Sequence, residues 1–142
     1  MHKKDNWQTP SWLIEQLENE FGDLFDPCPI DPIYDGLKIK WKSPAYCNPP
    51  YGHAIVDWLK YGIRQWANGQ LDTLIYLLPA RTDTQWFHNH IVYATQIRFI
   101  KGRLHFSNGR YPAPFPSMIV IYSKMRSVPE VIFDIHPTKL RS

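Results

Sequence analysis

No stretch of this sequence is apolar for long enough to cross a bilayer. The longest runs, Leu74 to Leu78 and Met118 to Tyr122, have the length of a β-strand. Met1 to Asn6 are polar and no apolar segment follows them, so no secretory leader is expected and the chain reads as soluble and intracellular (cytoplasmic). Cysteine is scarce: Cys28 and Cys47 are the two in the chain. They can pair, but an intracellular setting favours reduced thiols buried as small hydrophobes, and two cysteines without a nearby histidine pair fall short of a zinc site. There is no block of like charge, which argues against a disordered tail, and there is no internal repeat.

What is present is a chain of 142 residues, 44% hydrophobic and 15% aromatic. That suffices for one domain over 1–142 with a real core and leaves little room for a separate recognition domain. The net charge of +3 permits a polyanionic partner without requiring one.

Hydrophobic periodicity gives the element order. Thr9-Pro10 reads as the N-cap and first turn of an amphipathic helix carrying Leu13, Leu17 and Phe21 and stopped by Gly22. Leu24-Phe25 is a short strand broken by the prolines of Asp26-Pro27-Cys28-Pro29, which sets Asp26 at its carboxyl end. From Ile30 to Pro44 no period is sustained, although Asp35-Gly36 marks a turn. Ala45-Tyr46-Cys47 is a second strand, followed by Asn48-Pro49-Pro50-Tyr51-Gly52 and a helix with Ile55, Leu59 and Ile63 that ends at Asn68-Gly69. Leu74 to Leu78 reads as a central, parallel strand covered on both faces. Thr82 or Asp83 is expected to cap a helix with Trp86, Phe87 and Ile91, and Gln96 to Phe106 reads as a strand pair bent at Gly102. A turn at Ser107-Asn108-Gly109, a proline-rich loop from Tyr111 to Pro116 and a strand from Ser117 to Tyr122 follow. The alternation predicts an α/β layer fold with a mainly parallel sheet and an antiparallel C-terminal edge. Such sheets bind ligands at the carboxyl ends of their strands, the rim that gathers Asp26 and Asn48 to Tyr51.

Asn48-Pro49-Pro50-Tyr51 after a short strand resembles the active-site signature of adenine amino methyltransferases. Further segments are similar, in the same order, to the small phage-type, Dam-like DNA adenine methyltransferases: Trp7-Gln8-Thr9-Pro10, Phe25-Asp26-Pro27-Cys28, Asp35-Gly36-Leu37 with Trp41, Leu78-Pro79-Ala80-Arg81-Thr82-Asp83 with Trp86, and Lys101-Gly102-Arg103-Leu104. The resemblance implies a minimal Rossmann-like fold that binds S-adenosylmethionine, DNA as the substrate, and no metal. Asp26-Pro27-Cys28-Pro29 departs from the glycine-rich turn that many methyltransferases carry at this point.

The chemistry of the tetrapeptide agrees. Each proline fixes φ near −65° and restricts its predecessor, which pre-organises the loop. An adenine amino nitrogen is a poor nucleophile because its lone pair is delocalised into the ring. Two acceptors aimed at its hydrogens, the Asn48 side-chain oxygen and the Pro49 carbonyl, favour a pyramidal nitrogen, and Tyr51 is expected to stack on the extruded base. This role asks of Asn48 only an oxygen, which Asp would also supply. For the cofactor, Asp26 is the expected acceptor for the methionine ammonium and Asp35 for the ribose hydroxyls. Trp7, Thr9 and Pro10 are similar to the family's N-terminal cofactor wall, and the resemblance implies Pro27, Cys28 and Asn48 beside it. Thr9 and Asp35 also fit cap and turn roles. For DNA, Lys3, Lys4, Arg81, Lys101, Arg103 and Arg110 supply positive charge, and Tyr111 and Phe115 sit in a loop able to enter a groove. His88-Asn89-His90 is read as a solvated helix end, because residues two apart on a helix point to different sides. The rivals are amino-group methylation of RNA or of protein glutamine, whose amide poses the same chemical problem, and a catalytically silent DNA-binding relative.

Overall fold

The computed structural model describes residues 7–30, 32–106, 111–124 and 130–135. Helix α1 spans Ser11–Phe21 and buries Leu13 and Leu17, one turn apart, while Gly22 ends it at φ 92° with its N–H on the Glu18 carbonyl. Pro10, not Thr9, is its N-cap, and no side chain caps it. The Thr9 hydroxyl is engaged elsewhere, with Tyr46 and Asn48.

Phe25 makes a single parallel bridge to Ala45 rather than a full strand. Its N–H reaches the Pro44 carbonyl at 2.9 Å and its carbonyl receives Tyr46 N–H at 2.8 Å. The prolines that follow supply no further N–H, so the pairing stops there.

Five strands form one sheet: β1 Ala45–Cys47, β2 Leu74–Pro79, β3 Gln96–Ile100, β4 Ser117–Tyr122 and β5 Glu130–Ile135, in the order β1-β2-β4-β3-β5. β1 and β2 pair parallel, β4 pairs antiparallel with both β2 and β3, and β3 pairs parallel with β5. Four of the five strands therefore run the same way, and β4 is the reversed one. The antiparallel element expected at the C-terminal edge is thus interior, between β2 and β3, and the edge strand β5 lies parallel to its neighbour. β4 is buried at all six positions, which suits an interior place better than an edge. The strand pair expected over Gln96 to Phe106 is β3 alone. Beyond it Gly102 turns at φ 77°, and Leu104 meets the proline-rich loop through Ala113 N–H at 2.8 Å. The turn expected at Ser107-Asn108-Gly109 lies outside the described residues.

Side chains in register on adjacent strands share a face. Tyr46 pairs with Ile75, and its hydroxyl reaches Thr9 at the start of α1; Arg98 of β3, also on this face through Ile119, forms a bidentate ion pair with Glu20 of α1. Tyr76 points the other way, donating 2.7 Å to the Trp58 carbonyl of helix α2, Ile55–Ala67. The two helices thus cover opposite faces of the sheet. Gly62 of α2 is where helix and sheet approach most closely: a Cβ there would lie 2.0 Å from the Tyr76 hydroxyl and 2.5 Å from Trp41. The irregular connection from Ile30 to Pro44 is anchored by Trp41, fully buried, stacked on Trp58 and donating its indole N–H to the Gly36 carbonyl at 2.7 Å. Among the described residues, no helix is long and apolar enough to cross a membrane.

After β2, Thr84 caps the next turn through its hydroxyl, 3.2 Å from Phe87 N–H, in place of Thr82 or Asp83. The segment Phe87–Ile91 winds as a π-helix, and the Tyr122 hydroxyl holds it by donating to the His90 carbonyl at 2.7 Å. His88 and His90 sit here, His88 bonded to the Thr82 carbonyl; among the described residues no cluster of metal-ligating side chains occurs.

Candidate active site

The common strand direction gathers the carboxyl ends of Phe25, β1 and β2 on one rim, with Asp26, Asn48 and Ala80 next in the chain. Because β4 is reversed, its amino end arrives at the same rim. Ser117 pairs with Pro79, and Ala80 N–H reaches the Pro116 carbonyl at 2.9 Å. That brings Phe115 to the site.

Asn48 leads a rigid loop. Pro49 and Pro50 are buried, Gly52 makes the turn at φ 98°, and α2 begins at Ile55. The Asn48 side-chain amide donates to the main-chain carbonyl of Trp7 and, at 3.2 Å, to the Thr9 hydroxyl. Both of its N–H groups are therefore used, so the position asks for an amide and not merely for the oxygen expected from the sequence. Its Oδ1 is buried and has no hydrogen-bond partner among the described residues. A buried amide oxygen left unpaired costs about 1–3 kcal/mol, and such an atom calls for a reason.

Two cavities meet at this loop and share Trp7 as a wall. The smaller, about 240 Å³, lies between the N-terminal segment and the Phe25 strand end, lined by Trp7, Thr9, Asp26, Cys28, Tyr46 and Asn48 among others. Among the described residues of its lining, Asp26 is the one that carries a charge. Its Oδ1 accepts Cys28 N–H at 2.8 Å, and its main-chain carbonyl accepts the Tyr34 hydroxyl at 2.7 Å. Although the residue keeps an exposed edge, desolvation of the carboxyl raises its pKa above the usual carboxylate value, against the lowering by Cys28 N–H. Burial, helped by Asp26, pushes the Cys28 thiol up to about 12, and burial raises Cys47 well above its usual value; both are free, unionised thiols.

The larger cavity, about 360 Å³, is aromatic: Trp7, Tyr51, Trp86 and Phe115 line it with Pro79 and Arg81. Tyr51 is buried, donates 3.2 Å to the Leu77 carbonyl and packs edge-on against Phe115, with ring centres 5.4 Å apart. Trp7 meets the same ring at 5.5 Å and 89°. The exposed Arg81 guanidinium lies 6.0 Å from the Phe115 ring centre.

Of the residues expected from the sequence, Trp7, Thr9, Asp26, Cys28 and Asn48 line the smaller cavity, and Trp7, Tyr51 and Arg81 the larger. Pro10 and Pro27 are buried beside them. Asp35 does not line either cavity. It accepts Leu37 N–H at 3.0 Å as the cap of the turn Gly36–Lys38, and Gly36 packs so close beneath the Asp26 loop that a Cβ would lie 2.0 Å from the Pro27 carbonyl. Lys101 and Arg103 are exposed on the segment after β3, while Lys3, Lys4 and Arg110 lie outside the described residues. Phe115, expected in a groove-entering loop, is instead a buried wall; Tyr111 of that loop is 70% exposed. Sequence reasoning assigns no site role to Tyr46, places Trp86 only in a segment similar to the family, and puts Phe115 in a DNA-facing loop; the inward turn of the proline-rich loop depends on contacts distant in the chain.

No curated protein and no solved structure matches the chain. The family model described as DNA N-6-adenine-methyltransferase (Dam) matches residues 1–137. With that match over nearly the whole sequence, the chain belongs to the DNA N-6-adenine-methyltransferase (Dam) family and is a DNA adenine methyltransferase.

Proposed function

We propose that this enzyme uses S-adenosylmethionine to methylate the exocyclic amino group of adenine, with the smaller cavity for the cofactor and the larger, aromatic one for the base, in a minimal Rossmann-like methyltransferase fold. The observation that carries the reading is the buried Asn48 Oδ1, unpaired among the described residues, on a residue that lines the smaller cavity and opens the loop whose Tyr51 lines the larger. The residues of the smaller cavity fit the cofactor: Asp26 offers a carboxylate to its ammonium, and Trp7, Pro29 and Ile30 offer apolar walls. When bound, S-adenosylmethionine supplies an electrophilic methyl group on a sulfonium.

The chain's own contribution is to hold the amino group. Asn48 Oδ1 accepts one N–H and the Pro49 carbonyl the other, which localises the lone pair on nitrogen and stabilises the charge that develops there. Their effect grows as the nitrogen becomes cationic and acidic, so no strong base has to be at hand. Tyr51, Trp86 and Phe115 offer ring faces and edges to a base drawn out of the helix, since a stacked base is out of reach. Burial keeps the Tyr51 hydroxyl protonated, so it acts as a wall and not as a base. Arg81 at the cavity, with Lys101 and Arg103, suits the phosphates on either side.

The test is transfer of labelled methyl from S-adenosylmethionine to DNA duplexes and single strands with and without adenine, beside RNA and a glutamine peptide. Label in adenine-containing DNA alone is expected, recovered as N6-methyladenine. Label in RNA or peptide but not DNA would overturn the reading.

A further inference from the structure

Asn48 sits at the end of a hydrogen-bonded chain that reaches into the sheet. Its Nδ2 donates to Thr9 Oγ1 at 3.2 Å, and Thr9 Oγ1 lies 2.6 Å from the hydroxyl of Tyr46, two residues before Asn48 on β1. Tyr46 is 2% exposed, on the sheet face that carries α1. We propose that Thr9 and Tyr46 are positioning residues for methyl transfer: their hydroxyl pair, with the Trp7 carbonyl, fixes which end of the Asn48 amide faces the site. The proposal rests on the reading of Asn48 given above.

The reason lies in the near-symmetry of an asparagine amide. Its oxygen and nitrogen ends have almost the same shape, and only hydrogen-bond partners tell them apart. The Trp7 carbonyl accepts and cannot donate, so it selects the nitrogen end. It engages one N–H, however, and leaves the group free to pivot about that bond. Thr9 Oγ1 takes the second N–H and removes the pivot. A hydroxyl is an ambiguous neighbour, since it can also donate to an amide oxygen. Tyr46 resolves that ambiguity by offering its oxygen, 2.6 Å away, to the Thr9 proton: with that proton given to Tyr46, only lone pairs of Thr9 Oγ1 face the Asn48 amide. With both N–H groups directed at the N-terminal segment, Oδ1 has to point away from it. The same chain ties the N-terminal segment, which contributes to both cavities through Trp7, to the strand that presents the catalytic loop.

Thr9 also lines the cofactor cavity, so a direct cofactor contact must be told apart from positioning. Single-turnover methylation of an adenine-containing DNA at saturating cofactor and DNA separates them, with cofactor affinity measured alongside by calorimetry. Thr9→Val, which keeps the shape and removes the hydroxyl, is expected to slow transfer about three- to tenfold, the effect of one hydrogen bond, with cofactor affinity unchanged. Thr9→Ser restores the rate. Tyr46→Phe, checked for folding by its melting curve, slows transfer to a smaller degree. In an Asn48→Ala background, Thr9→Val has no further effect, because there is no amide left to orient. A Thr9→Val enzyme as fast as the parent, or one whose loss lies in cofactor affinity and persists without Asn48, overturns the proposal. A parent that methylates no DNA would instead overturn the functional reading beneath it.

Discussion

The side-chain amide of Asn48 donates to the main-chain carbonyl of Trp7, 41 residues earlier in the chain, so the residue proposed as the acceptor for the amino group is also the clasp of the N-terminal segment. Asp at this position would keep an acceptor and lose both donors, setting a carboxylate oxygen against the Trp7 carbonyl. Asn48→Asp is therefore expected to retain methyl transfer, at a rate at least tenfold below the parent, and to melt earlier by about 1–3 kcal/mol of stability, the cost of a buried acceptor left unpaired. Melting curves with single-turnover rates check this. A variant as stable as the parent would show that the clasp contributes nothing.

Asp26 should matter for the cofactor and not for DNA. Asp26→Ala is expected to weaken S-adenosylmethionine binding at least tenfold, since a hydrogen bond to a charged group contributes about 1.5–3 kcal/mol, and to leave DNA affinity unchanged. Equal loss of both affinities would remove the assignment.

The same carboxyl gives a pH dependence with a definite sign. Its pKa in the folded chain is raised by desolvation, so it takes up a proton at a higher pH than an ordinary carboxylate. In the proposed role the ionised form is the one that would hold the cofactor ammonium. Cofactor affinity should therefore fall as pH drops through the raised value, and Asp26→Asn should abolish that dependence. For the empty protein the sign is opposite: a raised folded pKa contributes stability that is present below the unfolded value and lost as pH rises through the folded one. Binding titrations and melts of parent and Asp26→Asn across the acidic range test both signs.

Gly36 buttresses the Asp26 loop from below, where a Cβ would lie 2.0 Å from the Pro27 carbonyl and 2.8 Å from the Trp58 ring. Gly36→Ala must push both aside, the carbonyl most, which costs about 1–3 kcal/mol by overpacking. Because the displaced carbonyl belongs to the residue after Asp26, cofactor affinity should fall together with the melting temperature. An unchanged affinity would mean that the loop is shaped independently of Gly36.

Arg81 and Arg103 are exposed on the rim, Arg81 beside the aromatic cavity. Replacing either by Ala should weaken DNA binding and reduce the slope of log affinity against log salt by about 0.9 for each phosphate that is no longer neutralised, with cofactor affinity intact. An unchanged slope would show that this surface faces away from the backbone.

Much of the candidate site's placement was legible in the sequence because its parts are local. Asn48-Pro49-Pro50-Tyr51 carries its own stiffness in two prolines, and Asp26 and Asn48 follow apolar runs short enough to be strands, so the rule that ligands lie at strand carboxyl ends brought them together. Helices α1 and α2 were visible in their apolar spacing and in the glycines that end them. What was not legible depends on partners distant in the chain. The place of β4 inside the sheet follows from its pairing with both β2 and β3, and β5 lies beyond the last strand that its pattern suggested. Thr9 carries the cap signature, yet Pro10 starts the helix without it, because the Thr9 hydroxyl is drawn to Tyr46 and Asn48. Asp35, a candidate for the cofactor, caps its own turn through Oδ1 and lines neither cavity. The donors of Asn48 were invisible for the same reason: their acceptors lie at Trp7 and Thr9.

The most direct measurement is the single-turnover rate of methyl transfer to adenine in DNA by Asn48→Ala, at saturating cofactor and DNA, with folding confirmed by melting and cofactor affinity by calorimetry. Removing an acceptor that matters most as charge develops on the amino nitrogen is expected to slow transfer about a hundredfold or more, while the protein stays folded and binds both ligands. An Asn48→Ala enzyme that is folded and transfers methyl as fast as the parent would show that the buried oxygen of Asn48 is not the acceptor for the amino group.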